Sequence, residues 1–290
     1  VRTFLPQKMR EDFIHGRYRS ISEIKDIYET LESLYKKYTA SVNPVLDNPE
    51  LIIATGAPGA GKTTFLKTLC SEPDNNRILL DPDIIRNEFP LFVDAMKDAH
   101  EWAFSLQEAD QYAFEIYGPA GTYIHHSLLN RCFADNYNIT SSFQPTHFQS
   151  TIYDQLCKAD AAGHSCKAIV FDASAQTLKD SIHKRGKETG RNPSEEFVSK
   201  RYKAMHNVYD RLLYAPFPSD FYWRAECDGA PILAFTRDEN GNIEITDHDA
   251  FESIIDNLPE EKGAGLNYRV DRQLSLQRSP EPSSFDLGLD

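Results

Sequence analysis

Leu51-Ile-Ile-Ala-Thr-Gly56-Ala-Pro-Gly-Ala-Gly61-Lys62-Thr63-Thr64 is the stretch on which the reading of this chain turns. Leu51–Thr55 is apolar and strand-sized, and Lys62 to about Cys70 carries a helical pattern. Between them Gly56-Ala57-Pro58-Gly59-Ala60-Gly61-Lys62-Thr63 satisfies GxxxxGK[ST] in the strand–loop–helix setting the motif requires. Glycines let backbone N–H groups turn inward without Cβ clashes, which makes an anion nest at a helix N-terminus. Lys62 is long enough to reach β- and γ-phosphates, and the Thr63 hydroxyl, with Thr64 beside it, suits a Mg²⁺ ion. A triphosphate donor, ATP or GTP, follows. No base-recognition signature chooses between them.

Arg77–Leu80 reads as the next strand, and it runs into Asp81-Pro82-Asp83. In an open α/β sheet the carboxyl ends of the strands line the ligand crevice, so a carboxylate here faces the γ-phosphate. Asp83 is the candidate to accept a substrate hydroxyl's proton. Asp81 has two readings, capping the helix that follows or reaching the metal through water. Asp172, after the strand Lys167–Phe171, imitates a second metal-site acid, although an Asp before a turn is common.

Between Lys179 and Lys203 eight basic residues face four acidic ones, against the trend of the chain. Arg185 and Arg191, flanking Gly190 and Pro193, suit a segment that closes over phosphates and neutralises developing charge. Ser141, Ser142, Gln144 and His147 read as a polar loop after a short strand Asn138–Thr140. The aromatic segment 102–123 reads as core before it reads as a ligand platform.

Elsewhere, a helix is expected over Ser22–Tyr38 behind a Ser22 cap. Further helices are expected over 94–117, stopped by Gly118-Pro119, then over Gly121–Ala134, Phe148–Ala161, 176 onward, Ser194–Leu213 and Asp249–Asn257. Pro231–Arg237 and Asn242–Thr246 flank a turn and predict a hairpin. Strands alternating with helices define a three-layer α/β fold with a mostly parallel sheet and an antiparallel edge hairpin. The expected division is a helical N-terminal extension over 1–47, a P-loop domain over 48–260 and a flexible polar tail over 261–290. The chain begins at Val, so processing from something longer is expected.

Thirty-one basic residues against 44 acidic ones give a net charge of −13. That balance repels nucleic-acid backbones, so no nucleic acid is expected as partner. No apolar run reaches membrane-spanning length, and no membrane is expected. Five scattered cysteines form no zinc or CxxC spacing, which fits reduced thiols in a cytoplasmic compartment. Three other readings share the P-loop. One is a kinase for another acceptor, such as a different metabolite, a protein or a polynucleotide hydroxyl, the last disfavoured by the acidic charge. The second is a nucleotide-gated interaction module without transfer activity. The third is an NTPase motor, for which Asp172 is the sole hint.

Over residues 48–245 the chain resembles the zeta-toxin family of P-loop kinases. The match comprises GAPGAGKTT at 56–64, LLDPDIIRNEFP at 79–90, NYNITSSFQPT at 136–146, RGKETGRNP at 185–193 and ILAFTRDENG at 232–241. The resemblance implies transfer of a γ-phosphate to a hydroxyl of a small molecule, typically a nucleotide sugar, UDP-N-acetylglucosamine. It also implies Lys62 on the phosphates, Asp83 as base, Arg185 and Arg191 as clamps, and action as a toxin or delivered effector with a small antitoxin or regulatory protein as partner. The chain departs from the family on the acceptor side. Thr140-Ser141-Ser142 stands where an acidic residue is usual, and His126 stands where a sugar-binding Glu would be. His126, Thr140 and Ser142 are therefore the candidate acceptor contacts.

Overall fold

The computed structural model describes residues 20–71, 75–102, 105–145, 152–189 and 195–278. In chain order the elements are α1 (Ile21–Thr39), β1 (Glu50–Gly56), α2 (Lys62–Cys70), β2 (Arg77–Leu80), α3 (Pro82–Asn87) and α4 (Pro90–Glu101). They continue with α5 (Leu106–Ala134), β3 (Asn138–Phe143), α6 (Asp154–Ala161), β4 (Ser165–Ala173), α7 (Ala175–Thr189) and α8 (Glu195–Leu212). The last are β5 (Ser219–Arg224), β6 (Ile232–Arg237), β7 (Ile243–Ile245), α9 (His248–Asn257) and α10 (Glu260–Arg278).

The seven strands run in the order β2-β3-β1-β4-β5-β6-β7. The first five are parallel, and β6 and β7 form the antiparallel edge. From β1 the chain crosses one way to β2, returns to lay β3 between them, and adds β4 and the later strands on the other side of β1. The carboxyl end of β1 is therefore the point where the winding reverses, the place where open α/β sheets bind ligands. The P-loop begins there.

Side-chain alternation along the strands separates the two helical layers. Phe171 and Tyr222 stack on one face beneath Phe65 of α2. Phe221, on the other face, stacks on Tyr209 of α8 and on Phe235, which meets Phe251 of α9 edge-on. Leu51, Ile53, Ala168, Val170 and Phe171 are fully buried in the sheet. Their near-continuous apolar runs are what a sheet covered on both faces demands.

Several expectations are corrected. The first helix is capped two residues earlier than its periodicity suggests, because Ser20 and Glu23 form a reciprocal capping box. Gly118-Pro119 does not stop a helix: α5 runs through both residues, from Leu106 to Ala134. A proline removes one ladder bond there, but packing of α5 against α4 and buried Ala113, Ala120 and Ile124 holds the helix continuous. Ser141 and Ser142 belong to β3 rather than to a loop. The stretch from 261, expected as a flexible tail, lies in α10 as far as Arg278, and Leu266 and Val270, one turn apart, bury against the rest of the core. Among the described residues no helix is long and apolar enough to cross a membrane.

Candidate functional site

Gly59 and Gly61 sit at φ +89° and +93°, a region side-chain-bearing residues rarely adopt. A Cβ on Gly56 would lie 2.5 Å from the Phe171 carbonyl oxygen, and one on Gly59 would lie 2.9 Å from that of Leu178. The loop is thus wedged between β4 and α7, and side chains there would push it open. Lys62 Nζ donates back to the carbonyls of Gly56 (2.6 Å) and Ala57 (3.0 Å). Its amino group lies over the cradle that Gly56–Gly61 forms.

Burial lowers the Lys62 pKa to about 8, while the carboxylates of Asp81 and Asp83 oppose that shift and Arg185 adds to it. The charges felt by Lys62 are those of Asp81, Asp83 and Arg185, so residues from α2, the end of β2, α3 and α7 lie within electrostatic reach of one another. Arg191 lies outside the described residues, as do Gly190, Pro193 and His147.

Asp81 caps the helix that follows, one of the two roles left open for it. Its Oδ1 accepts from the Asp83 and Ile84 amides, capping α3, which begins with Pro82. Its Oδ2 accepts from the Thr63 hydroxyl at 3.0 Å. Burial, then the neighbouring Asp83, raises its pKa. A hydroxyl and a carboxylate in contact beside the anion cradle are the donor set by which P-loop proteins hold Mg²⁺. The residues fit that ion, which would be held by Thr63 with Asp81 behind it. No cluster of three or more His, Cys, Asp or Glu side chains that could hold a metal is present among the described residues.

Asp83 is partly exposed and pairs with Arg86 one turn on. Arg86 is 9% exposed and lies over the Phe114 ring of α5 at 5.1 Å. Behind it, buried His125 contacts Ser141 (2.8 Å), whose hydroxyl donates to the Leu80 carbonyl (3.0 Å). That bond assigns the proton at the contact to His125 Nε2. Burial, then His126, pushes the His125 pKa down to about 3, so the ring is neutral. His126 and Phe143 complete this wall, their rings 6.0 Å apart.

The other two acceptor candidates fall on the opposite face of β3. Thr140 is fully buried in mid-strand and faces the Cys70 thiol of α2. Ser142, two residues on, shares that face. The β3 side chains that meet the wall are Ser141 and Phe143. Asp172 does not imitate a metal-site acid. Its carboxylate accepts from the Ala173 amide (2.9 Å) and from Asn257 of α9 (3.2 Å), on the face opposite α2. Burial raises its pKa to about 6. The Tyr209 hydroxyl lies near it without hydrogen-bond geometry.

Arg224, at the end of β5, went unnoticed in the sequence. Its Nη1 donates to the Gly59 carbonyl (2.8 Å) and contacts Ser181 (3.3 Å), and its Nε donates to the Gly229 carbonyl (3.0 Å). Lys184 of α7 pairs with Asp228 of the same β5–β6 loop. The guanidinium thus braces the P-loop from behind.

A reversed-winding parallel sheet with this loop, lysine, threonine and strand-end aspartate is a P-loop nucleotide-binding protein. The chain belongs to the AAA domain family, whose profile matches residues 51–212. No curated protein sequence matches it significantly. Its fold is similar to a chain of the PezAT chromosomal toxin–antitoxin system of Streptococcus pneumoniae: TM-score 0.59, 13% identity, 91% of this chain and 100% of that one covered. It is also similar to a chain of the AvrRxo1-ORF1:ORF2 complex with ATP: TM-score 0.54, 14% identity, 86% of each chain covered. At such identities the likeness is one of fold.

Proposed function

We propose that this protein transfers the γ-phosphoryl group of ATP or GTP to a hydroxyl of a small molecule, with a nucleotide sugar such as UDP-N-acetylglucosamine as the leading acceptor. The observation that carries the reading is the contact of Thr63, next to Lys62, with Asp81, whose carboxylate also holds the Asp83 amide, with Arg185 in electrostatic reach of Lys62. Phosphoryl transfer needs little beyond positioning and charge neutralisation, and these groups supply both.

In this reading Gly56–Thr64 cradle the triphosphate, and Lys62 exchanges the Gly56 and Ala57 carbonyls for phosphate oxygens. Bound Mg²⁺ would neutralise charge on the β- and γ-oxygens. The acceptor hydroxyl approaches between Asp83 and the wall of α5. Asp83 accepts its proton as the oxygen attacks phosphorus, the bridging bond to the β-phosphate breaks, and the nucleoside diphosphate leaves. Arg185, joined by Arg191, neutralises the transferring group.

A fold shared with toxin–antitoxin chains supports a toxin or effector role with a protein partner, acting in a cytoplasmic compartment. Incubation with γ-labelled ATP, then GTP, in Mg²⁺ with a panel of nucleotide sugars tests the reading, with Lys62→Ala as the blank. Label on a nucleotide sugar supports it. Intact nucleotide binding with no label on any hydroxyl acceptor, in the panel or in a metabolite extract, would overturn it.

A further inference from the structure

α3 carries Asp83 between the two ends that fix it. With six residues it is too short to hold its helical shape, or its place, by itself. Asp81 caps its amino end and is tied to Thr63. Its carboxyl end is Glu88, whose amide closes the last turn onto the Ile84 and Ile85 carbonyls. The Glu88 carboxylate accepts from Lys37 Nζ of α1 at 2.7 Å.

α1 is in turn fastened along α5. The Tyr117 hydroxyl donates to Glu23 (2.9 Å), Arg131 pairs with Glu32 (2.6 Å) and Tyr35 donates to Asp135. In the last turn of α1, Tyr38 packs against the core, and its hydroxyl is buried beside the Glu88 carboxylate without hydrogen-bond geometry. Among the described residues that hydroxyl has no hydrogen-bond partner. Burial, then the Glu88 and Asp81 carboxylates, raise its pKa, so it keeps its proton. A buried donor left unspent costs stability and needs a reason. An acceptor lying next to it supplies one, a bond made in another state of the protein.

We propose that Tyr38 is a positioning residue: when nucleotide and Mg²⁺ fill the P-loop, its hydroxyl bonds Glu88 and fixes α3, with Asp81 and Asp83, against α1. The inference rests on the kinase reading of the same site. Thr63 and Asp81, in contact, are the residues that would hold the metal. Any adjustment of Asp81 there moves the cap of a very short helix, and with it Glu88 at the other end. A small shift turns a near contact into a hydrogen bond. α1, held on α5, is the fixed point against which α3 settles. The coupling is reciprocal, so a bond from Tyr38 to Glu88 also strengthens the metal–nucleotide complex.

Calorimetric titration of the full chain with a non-hydrolysable ATP analogue, with and without Mg²⁺, tests this apart from turnover. Tyr38→Phe removes only the hydroxyl. It is expected to leave the Tm of the free protein unchanged or higher and analogue affinity without Mg²⁺ unchanged. The gain in affinity that Mg²⁺ brings should shrink by about threefold or more, the worth of one hydrogen bond. A lowered Tm would show that the hydroxyl already serves the resting fold, and an unchanged Mg²⁺ effect would show that it never engages. Either overturns the proposal. Glu88→Ala tests the partner: the double variant is expected to bind no more weakly than Glu88→Ala, and additive losses overturn the pairing. Retained Mg²⁺-free affinity shows that each variant is folded. Where an acceptor takes label, Tyr38→Phe also lowers turnover at saturating nucleotide, because Asp83 rides on the same helix, and normal turnover overturns the positioning role. If no acceptor takes label while the loss of the Mg²⁺ effect persists, the kinase reading fails and the contact of Tyr38 with Glu88 stands.

Discussion

The Thr63 hydroxyl donates to the Asp81 carboxylate across 3.0 Å, tying the first turn of α2 to the end of β2. The same carboxylate caps α3, so two functions share one side chain. Asparagine caps helices as well as aspartate does but lacks the charge that attracts a divalent cation. Asp81→Asn is expected to leave thermal stability nearly unchanged while Mg²⁺ loses about tenfold of its effect on ATP affinity. Titrations of ATP with and without Mg²⁺ check this. An unchanged Mg²⁺ effect would remove Asp81 from the metal site.

Lys62 titrates near pH 8 in the free protein. A bound phosphate favours its charged form and raises that value. Nucleotide binding then takes up a proton above pH 8, and affinity falls as pH climbs through that value, by at most about tenfold per pH unit. Calorimetry at pH 7 and pH 9 in two buffers of different ionisation heat measures the uptake directly. Lys62→Ala is expected to abolish nucleotide-dependent activity together with the uptake.

Asp83→Asn should lower phosphoryl transfer by about 10²–10⁴, the range of a lost general base, with ATP affinity largely retained. Single-turnover rates and equilibrium titration distinguish the two. Near-normal turnover would show that another group accepts the proton.

Asp172 affects stability rather than transfer. Its folded pKa of about 6 lies above its ordinary value, so the folded state holds the proton that the unfolded chain has released between about pH 4 and 6. Stability therefore falls as pH rises through that window, by at most about 3 kcal/mol. Denaturation midpoints across pH 4–7.5 should show the decline in wild type and a flatter profile in Asp172→Asn. Identical profiles would place the titrating group elsewhere.

The nucleotide side of the site is local in sequence, and that is why it was legible. Nine consecutive residues, Gly56–Thr64, form the P-loop and the first turn of α2, and Asp81 and Asp83 follow the next strand. The acceptor side is assembled from α3, α5 and β3, and its errors are errors of parity and distance. β3 is buried on both faces, so its alternation is invisible in composition, and Ser142 was chosen where Ser141 faces the wall. Arg86 lay in plain view within LLDPDIIRNEFP, and its spacing of three from Asp83 was the available signal. Arg224 gave none, because its partner Gly59 is 165 positions away. β5 was missed although Phe221-Tyr222-Trp223 is a strong strand signal, and α10 was missed because its polar composition outweighed one buried pair, Leu266 and Val270.

The brace of Arg224 on Gly59 has a kinetic meaning. A glycine-rich loop left to itself samples many shapes and must be ordered by each incoming ligand, which slows capture and costs entropy. Here a side chain distant in sequence holds the loop at the Gly59 carbonyl before any ligand arrives. A ligand entering the loop then has less ordering to impose, which lowers the entropic cost of capture.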